Sequence, residues 1–198
     1  MNNYECWNIA GHDLEFLEDS HQYICDGICL PSITQCLKTR FGNKYAGIDE
    51  QTLKQASVRG TECHRAIEMW CKDGTESELP EVRNFQFLKK QYKFEVLENE
   101  IPVILFDVDE PILAGRLDLV LDMNGETVLA DIKRTSSLDK EYLSYQLNLY
   151  RIAYQQCYGI QISGLKGIHL REDIRKFVNI PINEKCAWEL IDEYRSRA

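Results

Sequence analysis

The spacing of apolar and polar positions divides the chain into strands and helices. Leu14-Glu15-Phe16-Leu17 and Gln22-Tyr23-Ile24-Cys25 are each apolar enough for a strand. Asp19-Ser20 turns the chain between them, so a hairpin is predicted over about 13–34. Asp26-Gly27 is a further turn pair, Pro31-Ser32 stops the strand, and Ser32 is placed to cap a helix starting near Ile33. Ala56, Gly60, Cys63, Ile67 and Cys71 recur at helical spacing and predict a helix over about 50–72, ended by Asp73-Gly74. A second helix runs from Pro80, suited to a first helical position, toward Phe94. Three strands are predicted next, over about 96–106, 112–121 and 127–133, with Asn124-Gly125 as a tight hairpin between the last two. Residues 138–158 read as a helix terminated by Gly159, and 164–170 and 176–180 as strands. Asn183 caps a final helix containing Trp188, Leu190 and Ile191. No repeat, low-complexity segment or linker interrupts this order. It fits an α/β sandwich with a mixed central sheet flanked by helices: a single domain over 1–198, with the N-terminal hairpin and a core over about 50–181.

Composition narrows the function. The 198 residues suffice for one full hydrophobic core. A net charge of −9 argues against a nonspecific nucleic-acid coat protein, which relies on neutralising phosphates. It leaves room for a nuclease, in which bound cations supply positive charge where carboxylates are densest. No apolar run approaches the ~20 residues of a membrane span. Met1-Asn2-Asn3-Tyr4-Glu5 has neither the basic nor the apolar region of a signal peptide, so a cytoplasmic protein without membrane attachment is expected. The eight cysteines include no CxxC pair, and Cys25 and Cys29 have no second pair at metal-ligand spacing. Free thiols in a reducing compartment are expected.

The chemistry centres on two predicted strands. Asp131 and Lys133, two apart on one strand, project to the same face. The Asn124-Gly125 hairpin makes the Ala114–Val120 stretch the antiparallel neighbour, about 4.8 Å away, so Asp118 comes close to Asp131. Two carboxylates that close require a proton or a cation between them, and a hard divalent ion suits oxygen ligands. A lysine beside such an ion can orient or help deprotonate an attacking water, or offset transition-state charge. By itself, Asp131-Ile132-Lys133 reads better as a solvated surface pair, because such triplets are common by chance.

The wider context resembles the PD-(D/E)XK nucleases, and within them the RecB-like branch that includes phage-type exonucleases. Gly115-x-x-Asp118 and Asp131-x-Lys133 match the core of that superfamily. Arg59-Gly60-Thr61-x-x-His64-x-x-x-Glu68 resembles the helix that precedes the strand pair, and Glu100-x-Pro102-Val103 its preceding strand. Gln146-x-x-x-Tyr150 resembles the helix after the lysine, and Leu30-Pro31-Ser32-Ile33-Thr34 a segment common in phage members. The resemblance implies a restriction-endonuclease-like fold and hydrolysis of DNA phosphodiester bonds with one or two Mg²⁺ or Mn²⁺ ions. It implies that Asp118, Asp131, Lys133 and Glu100 are catalytic. His64, Asp118, Asp131 and the backbone carbonyl of Ile132 would ligate metal. It implies phage or mobile-element recombination or repair as the setting, with a strand-annealing protein as a possible partner. The iron–sulfur subset of the family needs a C-terminal cysteine cluster, and Cys157 and Cys186 are too far apart for it, so no cluster is expected.

Several positions stay open at this level. His64 borders an apolar helix face and reads as a ligand or as a packed core histidine. Glu68, one turn on, is a partner for its ring or a solvated charge. Glu98 and Glu100 share a face by periodicity, and only Pro102 favours Glu100. Gln146 and Tyr150 read as a DNA-contacting pair or as a satisfied structural glutamine beside a core tyrosine. Arg59, Arg65, Arg116 and Arg134 flank the centre as phosphate contacts, Arg116 and Arg134 foremost. Lys89, Lys90 and Lys93 read as a solvated face, and Tyr92 and Phe94 as core or as base-stacking aromatics. Two other functions share the sequence: a nucleic-acid-binding module that keeps the fold without cutting, and an assembly protein carrying remnants of the motifs.

Overall fold

The computed structural model describes residues 4–197. Met1–Asn3, within the stretch read for a leader, lie outside the described residues. The N-terminal hairpin belongs to a four-stranded antiparallel meander: β1 (Tyr4–Ile9), β2 (His12–Leu17), β3 (Gln22–Cys25) and β4 (Ile28–Leu30). The two added strands have a physical reason for escaping notice. β1 leaves most of its residues exposed and so lacks apolar alternation, and β4 is three residues long. α1 (Ile33–Phe41) then starts at a capping box, in which Ser32 accepts from the Gln35 N–H and Gln35 accepts from the Ser32 N–H.

α2 (Glu50–Asp73) begins at Asp49, whose carboxylate accepts the Thr52 N–H, and stops at left-handed Gly74. Cys63 and Ile67 are buried, but Ala56 and most of the helix before Gly60 are exposed, so only its C-terminal half packs. α3 (Pro80–Tyr92) follows. β5 (Glu95–Asp107), β6 (Glu110–Met123) and β7 (Glu126–Lys133) form an antiparallel meander. Asn124 and Gly125 both have positive φ, as the tight hairpin requires. α4 (Lys140–Tyr158) crosses over to β8 (Gly164–Leu170), which pairs parallel to β7. A parallel pairing needs such a crossover. β9 (Arg175–Ile180) and α5 (Glu184–Arg195) complete the chain.

The five-stranded sheet, in order β5-β6-β7-β8-β9, is covered on both faces. Leu129, Leu143, Leu147, Tyr154, Leu190 and their neighbours fill the layer under α1, α4 and α5. Ile67, Val82, Phe85, Ala130 and Ile132 fill the layer under α2 and α3. Successive residues of β7 therefore serve opposite cores, as strand alternation demands. The long β5–β6 hairpin carries the N-terminal meander, with Ile104, Phe106 and Ala114 packed on Leu14, Phe16 and Tyr23. Each large apolar side chain buried this way contributes about 1.5–3 kcal/mol. Among the described residues, no helix is long and apolar enough to cross a membrane.

Candidate active site

The site lies where β6 and β7 part. Their pairing runs from Met123↔Glu126 to Leu119↔Ala130 and stops there. The next residues along, Asp118 and Asp131, face each other on the same side. β7 continues against β8 as far as Lys133↔His169, but past Ala130 its groups toward β6 have no strand partner. Asp118 Oδ2 takes the Ile132 N–H at 2.6 Å instead. The carbonyl of Ile132 faces His64 Nε2 at 3.0 Å. A carbonyl can only accept, so Nε2 is the donor there. His64 Nδ1 then points at Asp118 Oδ2, 3.6 Å away, and at Glu100 Oε1, 3.9 Å away.

Glu100 reaches this cluster through a strained backbone. Its φ of 52° lies in the left-handed region, unusual for a residue with a Cβ. It sits between the pairs Asn99↔Leu119 and Ile101↔Leu117, hence opposite Asp118, just after the irregularity that leaves Leu97 without a partner. The distortion separates two acids that simple alternation puts on one face. Glu98 receives the Tyr154 hydroxyl at 3.0 Å, while Glu100 turns to His64. One ligand atom each from His64, Glu100 and Asp118 lies within 4.8 Å of the others.

The electrostatics of this cluster fit a cation. Asp131 is 1 % exposed, and Lys133 Nζ stands 2.5 Å from its Oδ2, off the direction of a good hydrogen bond. Burial pushes the Asp131 carboxyl up to about 6, and Asp118 adds to the rise against the pull of Lys133. Burial likewise raises Asp118, with Glu100 adding and His64 and Lys133 opposing. For His64 burial works against the charged ring, but Asp118 and Glu100 outweigh it and push the imidazole up to about 9. The cluster is thus carboxylate-rich, desolvated and short of positive charge. Carboxylate oxygens, the His64 imidazole once Nδ1 has given up its proton, and the second lone pair of the Ile132 carbonyl form a donor set that suits a hard divalent cation.

A cleft of about 460 Å³ opens over these residues. Its floor holds His64, Glu100, Asp118, Asp131 and Lys133; α4 adds Gln146 and Tyr150. Gln146 is 7 % exposed and its Oε1 has no hydrogen-bond partner, so this buried amide is not satisfied by the protein. Tyr150 crosses close over Gly115: a Cβ there would meet Tyr150 Cε1 at 3.0 Å and its hydroxyl at 3.2 Å. Glycine at 115 thus answers to close approach, one of the few reasons for glycine inside a strand.

The remaining predicted residues divide. Arg116 lines the cleft, held by Glu5 at 2.7 Å. Arg134 points away from it, its Nε 2.6 Å from Glu81 Oε1 in the α3 layer. Arg59 is exposed on α2 and is not among the cleft residues, and Glu68 pairs with Lys72 rather than with His64. Lys89 pairs with Glu95, and Phe94 is buried and stacked on Phe177, which Tyr92 also contacts. The sequence reading missed the opposite wall, where Phe16, Glu18, His21 and Tyr23 come from the N-terminal meander. It also missed His169, which is 2 % exposed and whose Nε2–H reaches the Thr135 carbonyl at 2.7 Å, bracing the segment after Lys133. The one sequence signal for it is its polarity between the apolar Ile168 and Leu170. All eight cysteines are free. His12, Cys25 and Asp26 gather separately, and there Asp26 already accepts from His12 at 2.6 Å and from the Asp13 N–H.

Comparison with known proteins gives the family of the chain. No curated protein resembles the chain closely enough to count as a relative. A solved structure described as "Crystal structure of SSO0001" aligns with 15 % identity and a TM-score of 0.49, over 84 % of this chain and 75 % of that one. The family model of the PD-(D/E)XK nuclease superfamily matches residues 37–176, a span that takes in α2, the β5–β7 meander, α4 and every residue of the cluster. With most of its length so matched, the chain belongs to the PD-(D/E)XK nuclease superfamily.

Proposed function

We propose that this protein is a Mg²⁺- or Mn²⁺-dependent deoxyribonuclease, and more narrowly an exonuclease of the kind used in phage or mobile-element recombination and repair. The observation that carries the hydrolytic reading is the meeting of Asp118 and Asp131 at the parting of β6 and β7, with Lys133 on one side and His64 and Glu100 on the other. The narrower exonuclease reading rests on the order of the sequence motifs.

In this reading Asp118, Asp131, Glu100, His64 and the Ile132 carbonyl hold one or two ions. Such an ion supplies Lewis-acid stabilisation of charge on the phosphoryl oxygens. The protein's own part is positioning and proton management. Burial disfavours the charged amine of Lys133, but Asp131 and Asp118 more than compensate and keep it an ammonium. It therefore donates: it orients the attacking water by hydrogen bonding and offsets charge developing on the phosphate. The Ile132 N–H fixes Asp118, and the Ile132 carbonyl fixes the ring of His64, so both side chains are held before substrate arrives. Gln146 and Tyr150 offer amide N–H and hydroxyl donors that the oxygens of a sugar–phosphate backbone can accept.

The test is a time course on end-labelled linear DNA and on closed-circular DNA, with Mg²⁺ or Mn²⁺. Linear DNA is expected to shorten from its ends while the circle survives. Asp131→Asn and Lys133→Ala are each expected to abolish cleavage, and Asp131→Asn to remove the heat of Mn²⁺ binding in calorimetry. Undiminished cutting by both purified variants would refute the assignment. DNA binding without cutting under all these conditions would favour a binding module.

A further inference from the structure

We infer that Arg116 is the centre of a phosphate subsite beside the scissile position, and that Glu5 is its resident anion, displaced when a nucleic-acid phosphate arrives. This rests on the nuclease reading above. Lys133 and Arg116 supply the only lysine and arginine lining the described cleft, against the carboxylates of Glu18, Glu100, Asp118 and Asp131. Lys133 pairs with Asp131 and, in that reading, serves the scissile phosphate itself. A polyanion entering this cleft therefore has Arg116 as the remaining guanidinium or ammonium to meet.

The geometry separates a fixed cation from a replaceable anion. The Arg116 side chain is 22 % exposed, and its guanidinium carbon sits 5.3 Å from the Trp7 ring centre and 5.0 Å from that of Phe16. Aromatic faces hold a guanidinium in place without neutralising it. Glu5 is 52 % exposed and makes one contact, Oε1 to Nη2 at 2.7 Å. It belongs to β1, an edge strand paired only with β2, so its side chain can swing into solvent at no cost to the sheet. A phosphodiester offers the same acceptor oxygens as a carboxylate and can take its place.

Position gives the subsite its use. Arg116 lies two residues from Asp118 on β6, hence about 6.6 Å along the strand on the same side. That is close to the spacing of neighbouring phosphates on one strand. Arg116 would grip the phosphate next to the one being hydrolysed, and Glu5 would keep the guanidinium aligned and shielded until then.

The exchange has a signature that a merely structural ion pair lacks. A free cationic side chain that binds a duplex phosphate contributes about 0.9 to the slope of log K against log salt, through released counterions. In the native protein Arg116 brings Glu5 as its own counterion, so the swap contributes almost nothing. The experiment measures fluorescence anisotropy of a labelled DNA duplex with the full-length protein, in Ca²⁺, over a series of KCl concentrations. Glu5→Gln is expected to bind roughly five-fold tighter than wild type at low salt, with the slope steeper by about 0.9. Glu5→Ala should behave alike, and Arg116→Ala combined with Glu5→Gln should lose both gains. Since the prediction is tighter binding, a misfolded variant cannot imitate it. If wild type binds and both Glu5 variants leave affinity and slope unchanged, this inference fails alone. If wild type does not bind DNA at any salt, the nuclease reading fails with it.

Discussion

Replacing Gly115 by alanine puts a methyl group where Tyr150 crosses β6. The new Cβ would lie 3.0 Å from Tyr150 Cε1, 3.2 Å from its hydroxyl and 3.3 Å from Ile33 Cδ1. All three are several tenths of an ångström inside ordinary contact, and Tyr150 and Ile33 are themselves buried. Overpacking of this kind costs about 1–3 kcal/mol. Alanine returns roughly 0.5–1 kcal/mol by restricting the unfolded backbone. The expected net loss is about 1–2 kcal/mol, or roughly 2–8 °C in Tm for a chain of this size. The ring that must give way is also a wall of the cleft, so DNA cleavage should fall along with stability. Gly164→Ala is the matched control: its Cβ would meet Val128 Cγ2 at 3.4 Å, an ordinary contact. Calorimetric melting and a nuclease time course on both variants decide the matter. If Gly115→Ala melts and cuts like Gly164→Ala, the close approach of Tyr150 does not matter.

Two further outcomes follow from ion pairs outside the cleft. Arg134→Ala leaves the Glu81 carboxylate, 2 % exposed, without its cation; urea unfolding should show a loss of about 3–5 kcal/mol. A large loss of DNA affinity with unchanged stability would mean that Arg134 contacts substrate after all. At the start of α4, burial opposes the charge on Asp139, but the Tyr142 N–H and Lys44 outweigh it and hold the carboxyl below its ordinary value. A depressed carboxyl stabilises the fold above its unfolded pKa, about 3.9, and that contribution is lost as pH falls through the folded value. Asp139→Asn keeps the cap but not the charge. The gap in urea midpoint between it and wild type should therefore be open at neutral pH and close on acidification, and a gap constant with pH would contradict this.

Much of the architecture was legible because local signals agreed with each other. The Asn124-Gly125 pair fixed the β6–β7 hairpin, and with it the facing of Asp118 and Asp131. Pro80, Asn183, Gly74 and Gly159 marked helix ends that the fold uses. What escaped depends on partners distant in sequence. Periodicity could not separate Glu98 from Glu100, because the choice is made by one left-handed residue in β5. Arg134 follows Lys133 directly, yet it belongs to the other layer, drawn there by a buried acid 53 residues earlier. The two added meander strands carry little apolar patterning, and the wall they complete became visible only once the chain was folded.

The parting of β6 and β7 gives Ile132 two separate employments. Its main chain serves the candidate site, with the N–H given to Asp118 and the carbonyl to His64, while its side chain is a brick in the core beneath α2 and α3. No side chain at 132 is asked to do anything polar, so an engineer is free to choose among apolar residues there. The freedom is narrower than it looks. Any change of volume at 132 that moves the strand by a few tenths of an ångström also moves the two atoms that aim His64 and Asp118. A redesign of that core would have to treat the main chain of residue 132 as an immovable datum and absorb the volume change elsewhere, at Ile67 or Val82 for instance.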